Sequence, residues 1–171
     1  SFRRSNWQQR VENQAANGEL PRARAFDGAG SAEMILLQGR RQWSESPQLL
    51  WVQLDYSDPS HCRWLREGAE LQEVVIDALL AEETRPRTTR IGDGLLIALR
   101  GVNLNPGADP EDMVSIRLWI DGRRIISTNR RELLSVNDIV EQLASGEGPR
   151  NTTDFLVELL DRLTWRMSDT I

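Results

Sequence analysis

The chain has 171 residues, of which 39% are hydrophobic and 27% charged, and a formal net charge of -5 at pH 7. This length suits one domain with a single core, and no apolar stretch reaches the roughly 18 to 20 residues that a membrane-spanning helix needs. An acidic protein is poorly suited to general nucleic-acid binding, and one cysteine and one histidine exclude a disulfide framework and the multi-cysteine zinc folds. All 21 basic residues are arginine, which excludes chemistry that depends on a lysine.

Residues 1–25 are polar and rich in arginine, and we expect an N-terminal arm in which Ser5 caps a short helix. The main domain is expected over residues 26–171. Its first strands are predicted at residues 33–37, a short apolar run, and 49–55, where Leu50, Val52 and Leu54 lie on one face.

Two helices follow. Asp58 before Pro59 is typical of a helix start, and Gly68 of its end, so a short helix is predicted over residues 60–66. The next helix has an apolar stripe at spacings of three and four residues, made of Leu71, Val74, Val75, Ala78 and Leu79. Its opposite face carries Glu73 and Asp77, together with Leu80.

The pattern then changes to strands and hairpins. Strands are predicted at residues 87–91 and 95–102 around the turn Gly92-Asp93-Gly94, and the second is expected to be central because it is apolar on both faces. Two more, at residues 113–120 and 123–128, flank the strong hairpin turn Asp121-Gly122.

Two further helices complete the chain. Ser135 and Asp138 have the spacing of a capping box, and Thr152 or Thr153 is expected to cap the last helix. That helix has an apolar stripe made of Leu156, Leu159, Leu160, Leu163 and Met167. The elements predict an α+β fold, in which a mixed, largely antiparallel sheet of about five to seven strands is covered by helices. Because no stop signal follows the last helix, we expect more protein after Ile171 in the natural gene.

Two groups of residues could carry chemistry. His61 and Cys62 are adjacent, so on a helix their side chains diverge; a hydrolase built on them would need a third orienting residue, and a surface role is the simpler interpretation. Glu73 and Asp77 lie one turn apart and could share a hard divalent ion whose shell is completed by water or a neighbouring chain. Such a pair is also compatible with an ordinary solvated face.

Several segments, taken together, resemble one family. Residues 77–87 read DALLAEETRPR and resemble a signature of the ZntB branch of the CorA family of divalent-cation transporters. Residues 51–56 (WVQLDY) and 92–100 (GDGLLIALR) resemble a strand and a hairpin of the same family, and residues 119–123 (WIDGR) and 146–149 (GEGP) also match. The resemblance extends over roughly residues 49–171.

The resemblance implies a cytoplasmic domain that assembles as a homopentameric funnel below a pore, at the cytoplasmic face of the bacterial inner membrane. In the family the chain continues into a stalk helix and two membrane helices. Asp77 aligns with an aspartate that helps to form a regulatory divalent site in magnesium-transporting relatives. Asp77, Glu73 and His61 are therefore the expected metal ligands, with zinc as the favoured ion and magnesium as the alternative.

The resemblance implies a protein that is not an enzyme, whose partners are divalent metal ions and copies of itself, with no nucleic acid. The membrane would be reached only through the helices after Ile171. Two alternatives stay open beside zinc transport: the same domain of a magnesium, cobalt or nickel transporter, and a protein-interaction module that binds no metal.

Overall fold

A computed structural model describes residues 21–35, 37, 46–81, 85–101, 114–122, 124–129 and 133–168. The seven strands in these ranges are β1 (Arg22–Phe26), β2 (Ala32–Ile35), β3 (Leu50–Asp55), β4 (Arg87–Ile91), β5 (Gly94–Gly101), β6 (Val114–Asp121) and β7 (Arg124–Asn129). The four helices are α1 (Pro59–Glu67), α2 (Glu73–Leu80), α3 (Leu134–Ala144) and α4 (Thr152–Ser168). None of the described helices has the length and apolar character needed to cross a membrane. The helix predicted after Ser5 and the side chain of Met167 lie outside the described residues.

The described strands form one mixed sheet in the order β2-β1-β3-β7-β6-β5-β4. β4 to β7 follow one another as an antiparallel meander, and β1 pairs with β2 and β3, also antiparallel. β3 and β7 are parallel, with Trp51 opposite Ile125. The predicted fold class is confirmed: a mixed, largely antiparallel sheet covered by helices.

Helices cover both faces of the sheet and divide the core into two layers. On one face α1 and α2 pack through Leu65, Val75 and Leu79 against sheet residues that include Val52 and Ile126. On the other face α3 and α4 contribute Ile139, Phe155 and Leu159, among others. The ring of Phe155 meets Trp51 edge-on at 4.9 Å between centroids. Both faces of the central strands are therefore buried.

The last residues of the expected N-terminal arm form part of the sheet. In β1, Ala23 and Ala25 are buried under α1 and α2, and Arg24 is largely buried on the opposite face. The Arg24 guanidinium lies 5.3 Å from the ring centroid of Trp51 and donates a hydrogen bond to Oε1 of Gln53. Burial, followed by the charge of Arg22, lowers the pKa of Arg24 to about 10. Residues 22–25, which the sequence placed in the arm, therefore belong to the first strand of the sheet.

The prediction that β5 is central is wrong. β5 lies next to the edge strand β4, and its apolar faces are explained by cover from helices on both sides. Leu95, at the start of the strand, is exposed.

The predicted helix caps are correct in one case and wrong in two. Asp58 caps α1, accepting the backbone N–H of Ser60 at 2.9 Å, and the N–H of Gly68 bonds the carbonyl of Trp64 at its end. The predicted cap of α3 is wrong: its N-cap is Leu133, and Ser135 is buried inside the helix. At α4, Asn151 Oδ1 accepts the N–H of Asp154, so neither Thr152 nor Thr153 is the cap.

Candidate metal-binding site

Glu73 and Asp77 both lie on the exposed face of α2. They are one turn apart, so their carboxylates project from the same side of the helix. Val74 between them is 55% exposed, whereas Ile76 is buried, so the predicted apolar stripe is rotated toward Ile76. The two carboxylates face solvent and could bind a hard divalent ion together with water or ligands from a second chain.

The opposite face of α2 is held firmly against the sheet. Val75, Ile76 and Leu79 are buried in the core on this side. The hydroxyl of Thr128 on β7 donates a buried 2.9 Å hydrogen bond to the carbonyl oxygen of Leu79, in the last turn of α2. That carbonyl has no partner within an ideal helix end, so Thr128 supplies one. The exposed carboxylates therefore have a defined position relative to β7.

His61 lies on α1, where it closes the turn after β3. Its Nδ1 accepts the backbone N–H of Asp55 at 2.9 Å, and its Nε2 lies 3.5 Å from Oδ2 of Asp58. The imidazole is 12% exposed. Burial lowers the pKa of His61, and the carboxylates of Asp58 and Asp55 oppose that effect. Both nitrogens are engaged within the chain, so metal binding would have to displace one of these contacts.

Cys62, the next residue of α1, also contacts the turn between β3 and α1. Its Sγ donates to the carbonyl oxygen of Tyr56 at 3.3 Å. Burial raises the pKa of the Cys62 thiol, although the charge of Arg66 opposes it. A nucleophilic cysteine needs a lowered pKa and an adjacent base. This geometry does not favour the hydrolase alternative.

The three expected metal ligands do not form a common site within one chain. Across the ranges described above, no group of three histidine, cysteine, aspartate or glutamate side chains is arranged to hold a metal ion. His61 is occupied at the β3–α1 turn, whereas Glu73 and Asp77 lie on the outer face of α2. A site that uses Glu73 and Asp77 needs further ligands from outside this chain.

An acidic cavity, which the sequence motifs did not predict, lies beside the start of α2. The cavity has a volume of about 360 Å³ and lies between the α1–α2 connection and the turns of two hairpins. Glu70, Asp93 and Asp121 line it, with the Trp119 indole among the apolar lining. The two hairpin turns meet there because Gly94 on β5 pairs with Asp121 on β6. Each turn motif was visible in the sequence, but the pairing that brings the two turns together was not.

Comparison with known proteins matches residues 46–171 to the family described as CorA-like Mg2+ transporter protein. The chain is 43% identical over 124 residues to the zinc transport protein ZntB of Yersinia enterocolitica, covering 72% of this chain and 38% of that protein. It is 46% identical over 123 residues to the divalent cation transporter CmaX of Pseudomonas aeruginosa, covering 71% of this chain and 37% of that protein. The chain thus spans less than half the length of these curated relatives.

A solved structure supports the same relationship. The ZntB cytoplasmic domain of Vibrio parahaemolyticus is similar to this chain at a TM-score of 0.72 and 25% identity, with 86% of this chain and 58% of that chain covered.

Proposed function

Because this chain belongs to the family of CorA-like Mg2+ transporter proteins, we propose that it is the cytoplasmic regulatory and funnel domain of a divalent metal ion transporter. In this proposal the domain lies at the cytoplasmic face of the bacterial inner membrane, and the full-length protein supplies the membrane helices. Zinc is the proposed ion. Magnesium, cobalt and nickel are the alternatives within the same family.

The likeness to the ZntB cytoplasmic domain is the observation that carries the proposal. The identity to a zinc transport protein, 43% over 124 residues, favours zinc, and the identity to a divalent cation transporter favours the broader class. A family of transporters also favours a role other than catalysis.

We propose that Glu73 and Asp77 contribute to a regulatory metal site between two protomers. Their exposure and shared side of α2 leave them free to meet a second chain. An ion bound between protomers favours the assembly that brings its ligands together, and can shift the equilibrium only by its difference in affinity between states. Loss of the ion would leave like charges close together and loosen the assembly. His61 is the least suited of the three candidates, since both of its nitrogens have contacts within the chain.

We propose that the chain assembles as a homo-oligomer, with the pentamer implied by the family resemblance as the proposed form. Large apolar side chains exposed on this chain support that proposal, because solvent-exposed apolar groups are stabilised when another surface covers them. Val157 and Leu160 on the outer side of α4 are 60% and 46% exposed, and Val74 is exposed between the two carboxylates of α2.

Calorimetric titration with zinc and with magnesium tests the sensing role. We expect wild type to bind zinc, and Asp77→Ala and Glu73→Ala to bind it at least tenfold more weakly. Asp161→Ala is the matched control, because Asp161 is an exposed carboxylate on α4, away from α2. Identical isotherms for wild type and Asp77→Ala would remove Asp77 from the proposed site.

Sedimentation velocity with and without zinc distinguishes a metal-sensing domain from a protein-interaction module that binds no metal. A metal-sensing domain is expected to change its association state with zinc, and this change should be lost in Asp77→Ala. A protein-interaction module would associate to the same extent in both conditions. Uptake of zinc by cells that express the full-length gene, compared with cells that express an Asp77→Ala version, then tests transport itself.

A further inference from the structure

Among the residues that the structure describes, one arginine is buried in the layer between the sheet and helices α1 and α2. Arg117 lies on β6, opposite Thr128 on β7 and Ala98 on β5. It is two residues from Trp119, which belongs to the core on the α1–α2 side, so both side chains project to that face. Arg117 is 1% exposed, as buried as the apolar residues around it.

The charged end of Arg117 has no hydrogen-bond partner among the described residues. Its Nε, Nη1 and Nη2 atoms are all buried, and none of them donates to an acceptor there. The guanidinium carbon lies 5.0 Å from the ring centroid of Tyr56, so the aromatic ring covers it. Burial lowers the pKa of Arg117, and the Tyr56 side chain opposes this effect because its phenol oxygen lies near the guanidinium, although no N–H of Arg117 makes a well-aligned hydrogen bond to it. The side chain therefore remains a cation in an apolar layer.

Such an arrangement is unusual in folded proteins. More than nine in ten buried polar groups have a hydrogen-bond partner, and a buried charge without one is strongly destabilising. The Tyr56 side chain compensates part of the charge, but it has one oxygen and one ring face for a group with five N–H donors. Water could accept those hydrogen bonds, whereas only an anion would also balance the charge.

The position of Arg117 in the sheet also suits a ligand. Tyr56 directly follows β3, and β3 and β7 are the parallel pair, so the guanidinium stacks at the end of the sheet where both of these strands terminate. α1 begins at the same end, after the turn that includes Asp58. In sheets with parallel strands, ligands commonly bind at the carboxyl ends of those strands.

We propose that Arg117 anchors a site for a small oxyanion between β6 and α2. Because Tyr56 stacks on the guanidinium, the N–H groups in the guanidinium plane are the ones available, and their fork matches the paired oxygens of a carboxylate or phosphate. The Thr128–Leu79 hydrogen bond ties the last turn of α2 to the strand beside Arg117. Anion binding is thereby linked to the position of α2. This proposal does not depend on the transport function proposed above.

Thermal unfolding in inorganic phosphate, with sodium chloride at matched ionic strength as the reference, tests the site. We expect phosphate to raise the Tm of wild type saturably, by about 2–4 °C more than chloride does. A parallel titration with acetate shows whether a carboxylate is accepted as well as a phosphate. In Arg117→Met the phosphate-specific rise should disappear. The matched control is Arg63→Met, because Arg63 is exposed on α1, and it should respond like wild type.

If Arg117→Met folds poorly, a milder variant and an NMR titration of wild type test the same site. Arg117→Lys keeps the charge and removes the fork, and it should need at least tenfold more phosphate for half of the rise. In wild type, the Nε–H resonance of Arg117 should shift during the phosphate titration and stay constant in chloride. Equal effects of phosphate and chloride on wild type, or an Nε–H resonance that does not respond to phosphate, would overturn the oxyanion site.

Discussion

The backbone N–H of Asp55, at the end of β3, donates a 2.9 Å hydrogen bond to Nδ1 of His61, in the first turn of α1. An acceptor nitrogen carries no proton, so this contact requires a neutral imidazole whose proton is on Nε2, toward Asp58. Protonation of His61 would remove the acceptor and separate the strand from the helix start.

The stability of the chain should therefore depend on pH through His61. Burial holds the pKa of His61 in the folded chain below the value of 6.5 that applies when it is exposed on unfolding. The unfolded chain then binds more protons, so the free energy of unfolding is expected to fall as the pH drops below 6.5. Urea unfolding at half-unit steps from pH 8 to pH 5 measures this dependence.

His61→Asn is the matched variant for this prediction, because the asparagine carbonyl can accept the Asp55 N–H and does not titrate. The variant should lose the part of the pH dependence that lies just below pH 6.5. Asp58 has a lowered pKa, chiefly from the Ser60 hydroxyl hydrogen bond, and acts in a separate, more acidic range. If wild type and His61→Asn have parallel profiles, His61 does not control stability in this range.

Ser127→Ala should destabilise the chain by about 1–3 kcal/mol, the cost of leaving a buried donor without a partner. The Nε1–H of Trp51 donates a buried 2.9 Å hydrogen bond to Oγ of Ser127, and this contact joins β3 to β7. The free energy of unfolding in urea is the measurement. Thr153→Ala, at an exposed position of α4, is the control and should stay within about 0.5 kcal/mol of wild type.

Gly94→Ala should also be destabilising, although an alanine in a strand is normally preferred to glycine. A Cβ at Gly94 would lie 2.2 Å from Cη2 of Trp119, so the indole must move from its packed position. Overpacking of this kind costs roughly 1–3 kcal/mol. Tryptophan fluorescence and urea unfolding would report the change together.

Gly122→Ala provides the comparison for that variant. Gly122 has a φ of +49° in the β6–β7 turn, and a Cβ there would meet nothing within 4 Å. Its cost should come from the backbone alone, without a change in the environment of Trp119. An emission spectrum that shifts equally in both variants would contradict the proposed contact.

Two adjacent leucines on α4 should respond very differently to truncation. Leu159 is 0% exposed in the core between the sheet and α3, and Leu159→Ala should cost about 2–5 kcal/mol. Leu160 is 46% exposed, so Leu160→Ala should change the unfolding free energy of the monomer by less than about 1 kcal/mol. Measuring both at concentrations where the chain is monomeric distinguishes folding from association. A large loss in Leu160→Ala under those conditions would mean that the helix presents a different face.

The sequence predicted the elements whose signals are local. Asp58 before Pro59, and Gly122 after Asp121, fix a helix start and a hairpin turn through backbone requirements that no distant contact changes. The buried face of each strand and its neighbours in the sheet were harder to predict, because they depend on which helices pack against the strand. Arg117 alternates with apolar residues and resembles the solvent side of a strand, yet α1 and α2 cover that face.

The placement of the candidate ligands on their helices was predicted in part. The helical spacing of Glu73 and Asp77 correctly indicated one exposed face. The contacts of His61 could not be predicted, because the acceptor role of Nδ1 depends on the close return of α1 to the end of β3. Likewise, β1 was missed because the residues before Phe26 are alanines that alternate with arginines, which a hydrophobic pattern does not reveal.

The parallel ladder between β3 and β7 divides the described sheet into two sections, each made of antiparallel pairings. Strands β4 to β7 can pair as successive hairpins, whereas joining them to β3 requires residues far apart in the sequence to meet. Such nonlocal pairing is slow, so we expect the seam between β3 and β7 to form after the hairpins on either side of it. The Thr128 hydroxyl ties α2 to β7, so the helix with the two carboxylates is attached to the section of the sheet that can form first.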